Sequence, residues 1–147
     1  MPQKIFRKEI VVSEEHLDAL RHVNNVNYVQ WMQDVATEHS SINGWDTQRY
    51  LKSGTSWFAR RHMIDYIFPA VLGDVLIAET WISEMKNVSS IRKYRFYRKS
   101  DQRLIATAET KWGFVNLSTG RPTKVLPEIL ESFTLMENHL DENDTFQ

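Results

Sequence analysis

From Gly54 onward the sequence is β-like almost without a break, and its interruptions are short turns. Residues 55–68, TSWFARRHMIDYIF, lead into PAVLGD, and residues 74–86, DVLIAETWISEMK, lead into NVSS. Residues 90–100, SIRKYRFYRKS, turn at SDQR, and residues 103–117, RLIATAETKWGFVNL, end at STGRP. β-branched and aromatic residues suit a pleated backbone, whereas Pro, Gly, Asn, Asp and Ser clusters mark turns. Antiparallel neighbours can be joined by such turns; parallel ones need a crossover of a dozen residues or more. Four long strands joined this way form an antiparallel meander.

Upstream of the meander the pattern differs. Residues 4–12, KIFRKEIVV, read as one more strand, followed by a polar loop, SEEHLDALRH. From about Asn25 the period becomes helical: Tyr28, Trp31, Met32, Val35, Ala36 and His39 recur on one face, with Gln30, Gln33, Asp34 and Glu38 between them. Asn24 or Asn25 suits the N-cap of this helix and Gly44 its stop. In WDTQRYLKSG, Asp46 and Gly54 bracket a short second helix. VLPEILESFTLM, residues 125–136, reads as a terminal helix after Pro127, and ENHLDENDTFQ as an acidic, frayed tail. The expected fold is α+β, an antiparallel sheet of about five strands wrapped around one long helix. Such a sheet leaves an edge strand that invites a second subunit.

Composition narrows the function classes. A chain of 147 residues fits one domain, here 1–136, with 137–147 as its tail. The net charge of −1 provides no global basic field to recruit nucleic acid. Cysteine is absent, which removes thiol nucleophiles, disulfides and zinc–cysteine sites. No apolar run approaches the roughly 20 residues of a membrane span, and MPQKIFRKEIVV lacks a signal-peptide core. The expected location is cytoplasmic, away from membranes. No glycine-rich phosphate loop or G-x-S-x-G elbow occurs, and the five histidines complete no metal-ligand set.

In LDALRHVNNVNYVQW, Asp18, the run HVNN and Tyr28 resemble the D-x-x-G-H-V-N-N-x-x-Y signature of hot-dog-fold thioesterases. Both the 4-hydroxybenzoyl-CoA type and the acyl-ACP thioesterases are similar in this stretch, and HVNNVNYVQW is especially similar to the plant acyl-ACP enzymes. IDYIFPAVLGDVLIAETW resembles the P-x-x-x-G-D-x-L-x-x-x-T-W stretch of that family, and AETKWGFVNLSTGRPTKVLPEI its last strand and exit. The resemblance runs from about residue 5 to 130. It departs at Arg21, where the family has glycine, and at Leu20, where the plant enzymes carry asparagine. The plant enzymes also join two hot-dog units, so a single unit here implies a homodimer or homotetramer, with residues 57–66, WFARRHMIDY, at the interface.

The resemblance implies hydrolysis of acyl-CoA or acyl-ACP to a free acid and a thiol, with no cofactor. Asp18 would act as base or nucleophile, and both routes stay open. His22 would position substrate or water, or else hold the loop; the amides of Asn25, Val26 and Asn27 at the helix N-terminus would stabilise an oxyanion. Arg21 is either a turn residue or a ligand contact, and Tyr28 and Trp31 form core or line an acyl tunnel. The basic run IRKYRFYRK has two readings: a solvated sheet face with edge protection, or an anion contact through Lys93, Arg95 and Lys99 with coenzyme A or an acidic carrier protein. Its aromatics alternate onto the opposite face, which argues against a stacking platform for single-stranded nucleic acid. The rival within the fold is a hot-dog protein that binds acyl thioesters without cleaving them.

Overall fold

The computed structural model describes residues 4–136; the tail expected at 137–147 lies outside the described residues. Strand β1 (Phe6–Val11) leads through a 3₁₀ turn (Glu14–His16) to the long helix α1 (Asn25–Ile42) and the short helix α2 (Thr47–Ser53). Four strands follow: β2 (Thr55–Tyr66), β3 (Val75–Met85), β4 (Ser89–Arg98) and β5 (Leu104–Asn116). A last helix, α3, covers Pro127–Ser132. All pairings are antiparallel and the strand order is β1-β3-β4-β5-β2. This is the hot-dog fold, an α+β domain in which the sheet packs around α1.

Local chemistry accounts for the helix boundaries. Asn24 is the N-cap of α1, its side chain accepting from the Val26 amide at 3.1 Å, and Asn43 and Gly44 end the helix. Asp46 caps α2 by accepting from Arg49 N at 2.9 Å. Gly54 closes α2 in the left-handed region, at φ 74°, where a Cβ would be strained. The terminal helix is shorter than expected. Phe133 turns extended (φ −121°, ψ 140°) and enters a buried cluster, and the chain beyond runs beside β3, with Met136 N donating to Ile82 O at 2.8 Å.

Two apolar clusters fill the molecule. Tyr28, Trp31, Met32, Val35 and Ala36 of α1 pack on Leu76 and Ala78 of β3, on Tyr94 and Phe96 of β4 and on Ile105 and Ala106 of β5. Trp45, Tyr50, Ile82, Phe114, Val125, Ile129 and Phe133 form the second, under α2 and α3. Full burial of each large side chain stabilises by roughly 1.5–3 kcal/mol, so the helical stripe seen in the sequence is what seats α1 on the sheet.

The basic run lies on β4, the middle strand of five. Its place in the middle of the sheet removes the expected edge protection. Arg95 is only 5% exposed, and its Nε and Nη2 reach Glu79 of β3 at 2.8 and 2.7 Å. Arg7 of β1 pairs with the same carboxylate. Lys99 lies beyond the strand end and holds Glu9 at 2.7 Å, while Lys93 faces Glu109 of β5 in register. Glu79 and Glu9 thus hold Arg95 and Lys99, and the run lies within the sheet and does not guard its edge.

Candidate active site

The loop before α1 is a tight hairpin. Leu17 and Val23 form an isolated bridge, Asp18 N donates to His22 O at 2.8 Å, and Arg21 N donates to Asp18 O at 3.0 Å. A three-residue connection of this kind puts its last residue in the left-handed region, usually as glycine. Here Arg21 occupies it at φ 64°. Its guanidinium makes a bidentate contact with Glu14, at 2.8 and 2.9 Å, on the exposed surface. Arg21 thus occupies the turn and ties the hairpin to the 3₁₀ turn.

The hairpin aims Asp18. Its Oδ1 accepts from Leu20 N at 2.9 Å and from His22 N at 3.1 Å. Oδ2 has no protein partner among the described residues. Two amides thus fix the carboxylate and leave one oxygen for chemistry. Val23 N donates to Ala70 O at 2.9 Å, which ties the hairpin to the segment after β2.

Between hairpin and segment lies an open cleft of about 330 Å³, lined by Asp18, His22, Val23, Asn25, Tyr28, Tyr66, Ile67, Phe68 and Pro69. Asp18, His22, Asn25 and Tyr28, picked out from sequence, meet here. Tyr28 serves as both core and wall: it is 3% exposed and packs edge-on against Trp31, Phe96 and Tyr66. Burial, and then the neighbouring Tyr66 and Asp74, push its phenol above the ordinary range, so it stays protonated. Burial raises Tyr66 as well. Tyr66, Ile67, Phe68 and Pro69, which carry no expected site role in the sequence, also line the cleft; only the return of β2 past α1 brings them to the hairpin.

The helix end holds fewer free amides than expected. Val26 N donates to the Asn24 side chain and Asn27 N to Asn24 O at 3.0 Å. The Asn27 side chain is also committed, donating from Nδ2 to His16 O at 2.9 Å. Because Asn24 is the cap, Val26 and Asn27 are corrected as oxyanion donors. The Asn25 amide has no partner among the described residues and sits on the cleft wall. His16, for its part, accepts from Ser13 N at 3.0 Å through Nδ1 and packs on Trp31.

The domain is a hot-dog fold, and a loop carboxylate, Asp18, is fixed beside the N-terminus of its central helix. The family model described as the thioesterase-like superfamily matches residues 12–133, and the chain belongs to that family. It is 24% identical over 131 residues to the long-chain acyl-CoA thioesterase FadM of Escherichia coli K12, spanning 87% of this chain and 96% of that one. Its fold is similar to Slr0204, a 1,4-dihydroxy-2-naphthoyl-CoA thioesterase from Synechocystis (TM-score 0.80, 18% identity, 87% of this chain and 94% of the other). It is also similar to the 12:0-ACP thioesterase from Umbellularia californica (TM-score 0.81, 17% identity), covering 91% of this chain and 52% of that one. Among the described residues no helix is long and apolar enough to cross a membrane.

Proposed function

We propose that this chain hydrolyses acyl thioesters of coenzyme A or acyl carrier protein, using Asp18 as base or nucleophile. One observation carries the reading: a carboxylate held by two backbone amides, with its second oxygen unengaged, shares a cleft with the unengaged Asn25 amide at a helix N-terminus. As base, Asp18 takes a proton from water while the oxygen adds to the thioester carbonyl. The resulting oxyanion faces the Asn25 N–H and the positive end of α1. Collapse breaks the C–S bond, and the thiolate leaves with the proton Asp18 had taken. As nucleophile, Asp18 Oδ2 would add to the carbonyl itself and expel the thiolate as the C–S bond breaks, leaving an anhydride; water then opens it to the free acid and the Asp18 carboxylate, and the proton released goes to the thiolate. His22 borders the cleft and positions water or substrate; Tyr28 and Tyr66 contact the acyl group.

β2 lies at one edge of the sheet, and Phe58, Met63, Tyr66 and Ile67 stand about half exposed on and just beyond it. Two copies pairing along β2 would cover that edge and bring a partner surface over the cleft. Light scattering is expected to give a dimer or tetramer; a stable monomer at micromolar concentration would remove this part. Hydrolysis is tested by following thiol release from acyl-CoAs of graded chain length and from acyl-ACP. Release above the uncatalysed rate is expected for at least one class. Tight acyl-CoA binding with no release would instead establish the non-catalytic rival.

A further inference from the structure

A second cavity lies at the far end of the molecule's core from Asp18, beneath α2 and the C-terminal half of α1. It holds about 190 Å³ and is walled by Trp45, Tyr50, Trp57, Trp112 and Phe133, with Thr37 among its exposed lining residues. Arg92 of β4 lines it and is only 5% exposed. Both hydrogen bonds of its guanidinium leave from Nη1, to His39 Nδ1 at 2.9 Å and Thr80 Oγ1 at 3.0 Å. A guanidinium only donates, so that His39 nitrogen is the acceptor and bears no proton. His39 therefore adds no negative charge, and no carboxylate among the described residues pairs with Arg92. Its Nε and Nη2 have no protein partner there. The indole Nε1 of Trp112, on the same cavity, is likewise buried and makes no hydrogen bond of good geometry, although the Tyr94 hydroxyl lies near it.

A buried cation without a counter-ion, and a buried donor without a well-formed hydrogen bond, each carry a desolvation cost that a bound anion would offset. Burial already works against the charge on Arg92. The walls select the remainder of the ligand. An apolar cavity of about 150 Å³ is large enough to admit benzene in other proteins, so one ring or a short chain fits this one. We propose that this cavity binds a small organic carboxylate, its body against the tryptophans and its carboxylate on Arg92 and the Trp112 N–H. That acid is either a free molecule or the carboxylate end of an acyl group.

The five tryptophans give a site-resolved readout through their indole N–H signals. Benzoate, titrated into the full-length protein, is expected to shift the indole signals of Trp112, Trp45 and Trp57 while leaving that of Trp31 in place. Benzamide, its neutral counterpart, should bind at least roughly tenfold more weakly, since charge-assisted bonds are about twice as strong as neutral ones. Arg92→Met should erase that preference. Thr37→Phe, which leaves Arg92 intact and crowds the cavity from its exposed side, should weaken both ligands and keeps the test valid if Arg92→Met does not fold. Equal binding of benzoate and benzamide would overturn the proposal. So would the absence of any shift at millimolar benzoate, which would mark the cavity as merely hydrated. Thiol release then separates the two sources: Arg92→Met raises KM for hexadecanedioyl-CoA, whose chain is long enough to reach from the Asp18 cleft, but not for palmitoyl-CoA if the site holds an acyl end, and changes neither if it holds a free acid. The binding arm does not depend on hydrolysis, so it can succeed where the thioesterase reading fails.

Discussion

Replacing Asp18 by asparagine separates chemistry from scaffolding. The side chain keeps its shape, and its oxygen still accepts from Leu20 N and His22 N. The new NH₂ takes the place of an oxygen that has no protein partner, so no bond is broken there. What weakens is the charge assistance of two hydrogen bonds. Charged partners contribute about 1.5–3 kcal/mol and neutral ones about 0.5–1.5, a typical difference of about 1–1.5 per bond and so roughly 2–3 kcal/mol for the pair. At about 2–4 °C per kcal/mol for a chain near this size, the melting temperature should fall by no more than roughly 4–12 °C. A domain of ordinary stability, about 5–15 kcal/mol, remains folded at assay temperature after such a loss. Removal of the base should lower kcat by roughly 10²–10⁴, or about 2.7–5.5 kcal/mol of barrier, a deficit that unfolding cannot supply. The check is thiol release and thermal denaturation on one preparation, with acyl-CoA binding measured alongside. A variant that binds and hydrolyses at the parent rate would refute the assignment and leave Asp18 as a loop brace.

Three further outcomes follow from described contacts. Glu79→Gln leaves the 5%-exposed Arg95 without its carboxylate, and breaking such buried pairs costs about 3–5 kcal/mol, readable as a lower denaturant midpoint; a loss below about 1 kcal/mol would contradict the pairing. Burial holds the His62 imidazole below its ordinary range, and its Nδ1 meets Thr110 Oγ1 at 2.8 Å. The unfolded chain therefore binds the proton more readily, so this residue's contribution should fall as pH drops through about 6.5, and His62→Gln should flatten that part of the stability profile. At Arg21, glycine should hold or raise the melting temperature despite losing the exposed Glu14 contact, whereas valine, β-branched at φ 64°, should lower it.

The sequence exposed features that depend on neighbours along the chain. The turns NVSS and SDQR join β3, β4 and β5 into a three-strand meander, but the expected fourth member fails: PAVLGD carries the chain from β2, at the far side of β5, across to β3, a non-local pairing that no local pattern reveals. The stripe from Tyr28 to His39 marked the helix and the face it buries. The cluster from Asp18 to Tyr28 was legible for the same reason: hairpin, cap and helix start are contiguous. Non-local partners were hidden. Alternation along IRKYRFYRK separates Arg92 from Arg95, but only strand order shows that one meets Glu79 and the other closes a cavity. Likewise, composition allows Asn24 or Asn25 as cap, and which one caps decides which amides stay available.

Strand order also carries a kinetic consequence. β3, β4 and β5 pair with sequence neighbours across tight turns, so their hairpins close with little loss of chain entropy. β1 instead lies on β3, with Phe6 opposite Thr80, and β2 lies on β5, with Thr55 opposite Asn116. Each outer strand must enclose a long stretch of chain before its first contact forms, so folding should nucleate in the central hairpins and the two margins should dock late. Destabilising changes in the β3–β4 hairpin should then slow refolding, whereas those in β1 should chiefly speed unfolding. Until β2 docks, the 55–66 segment is an unpaired strand on a growing chain, and in a crowded cell its next available neighbour is another copy of the same protein.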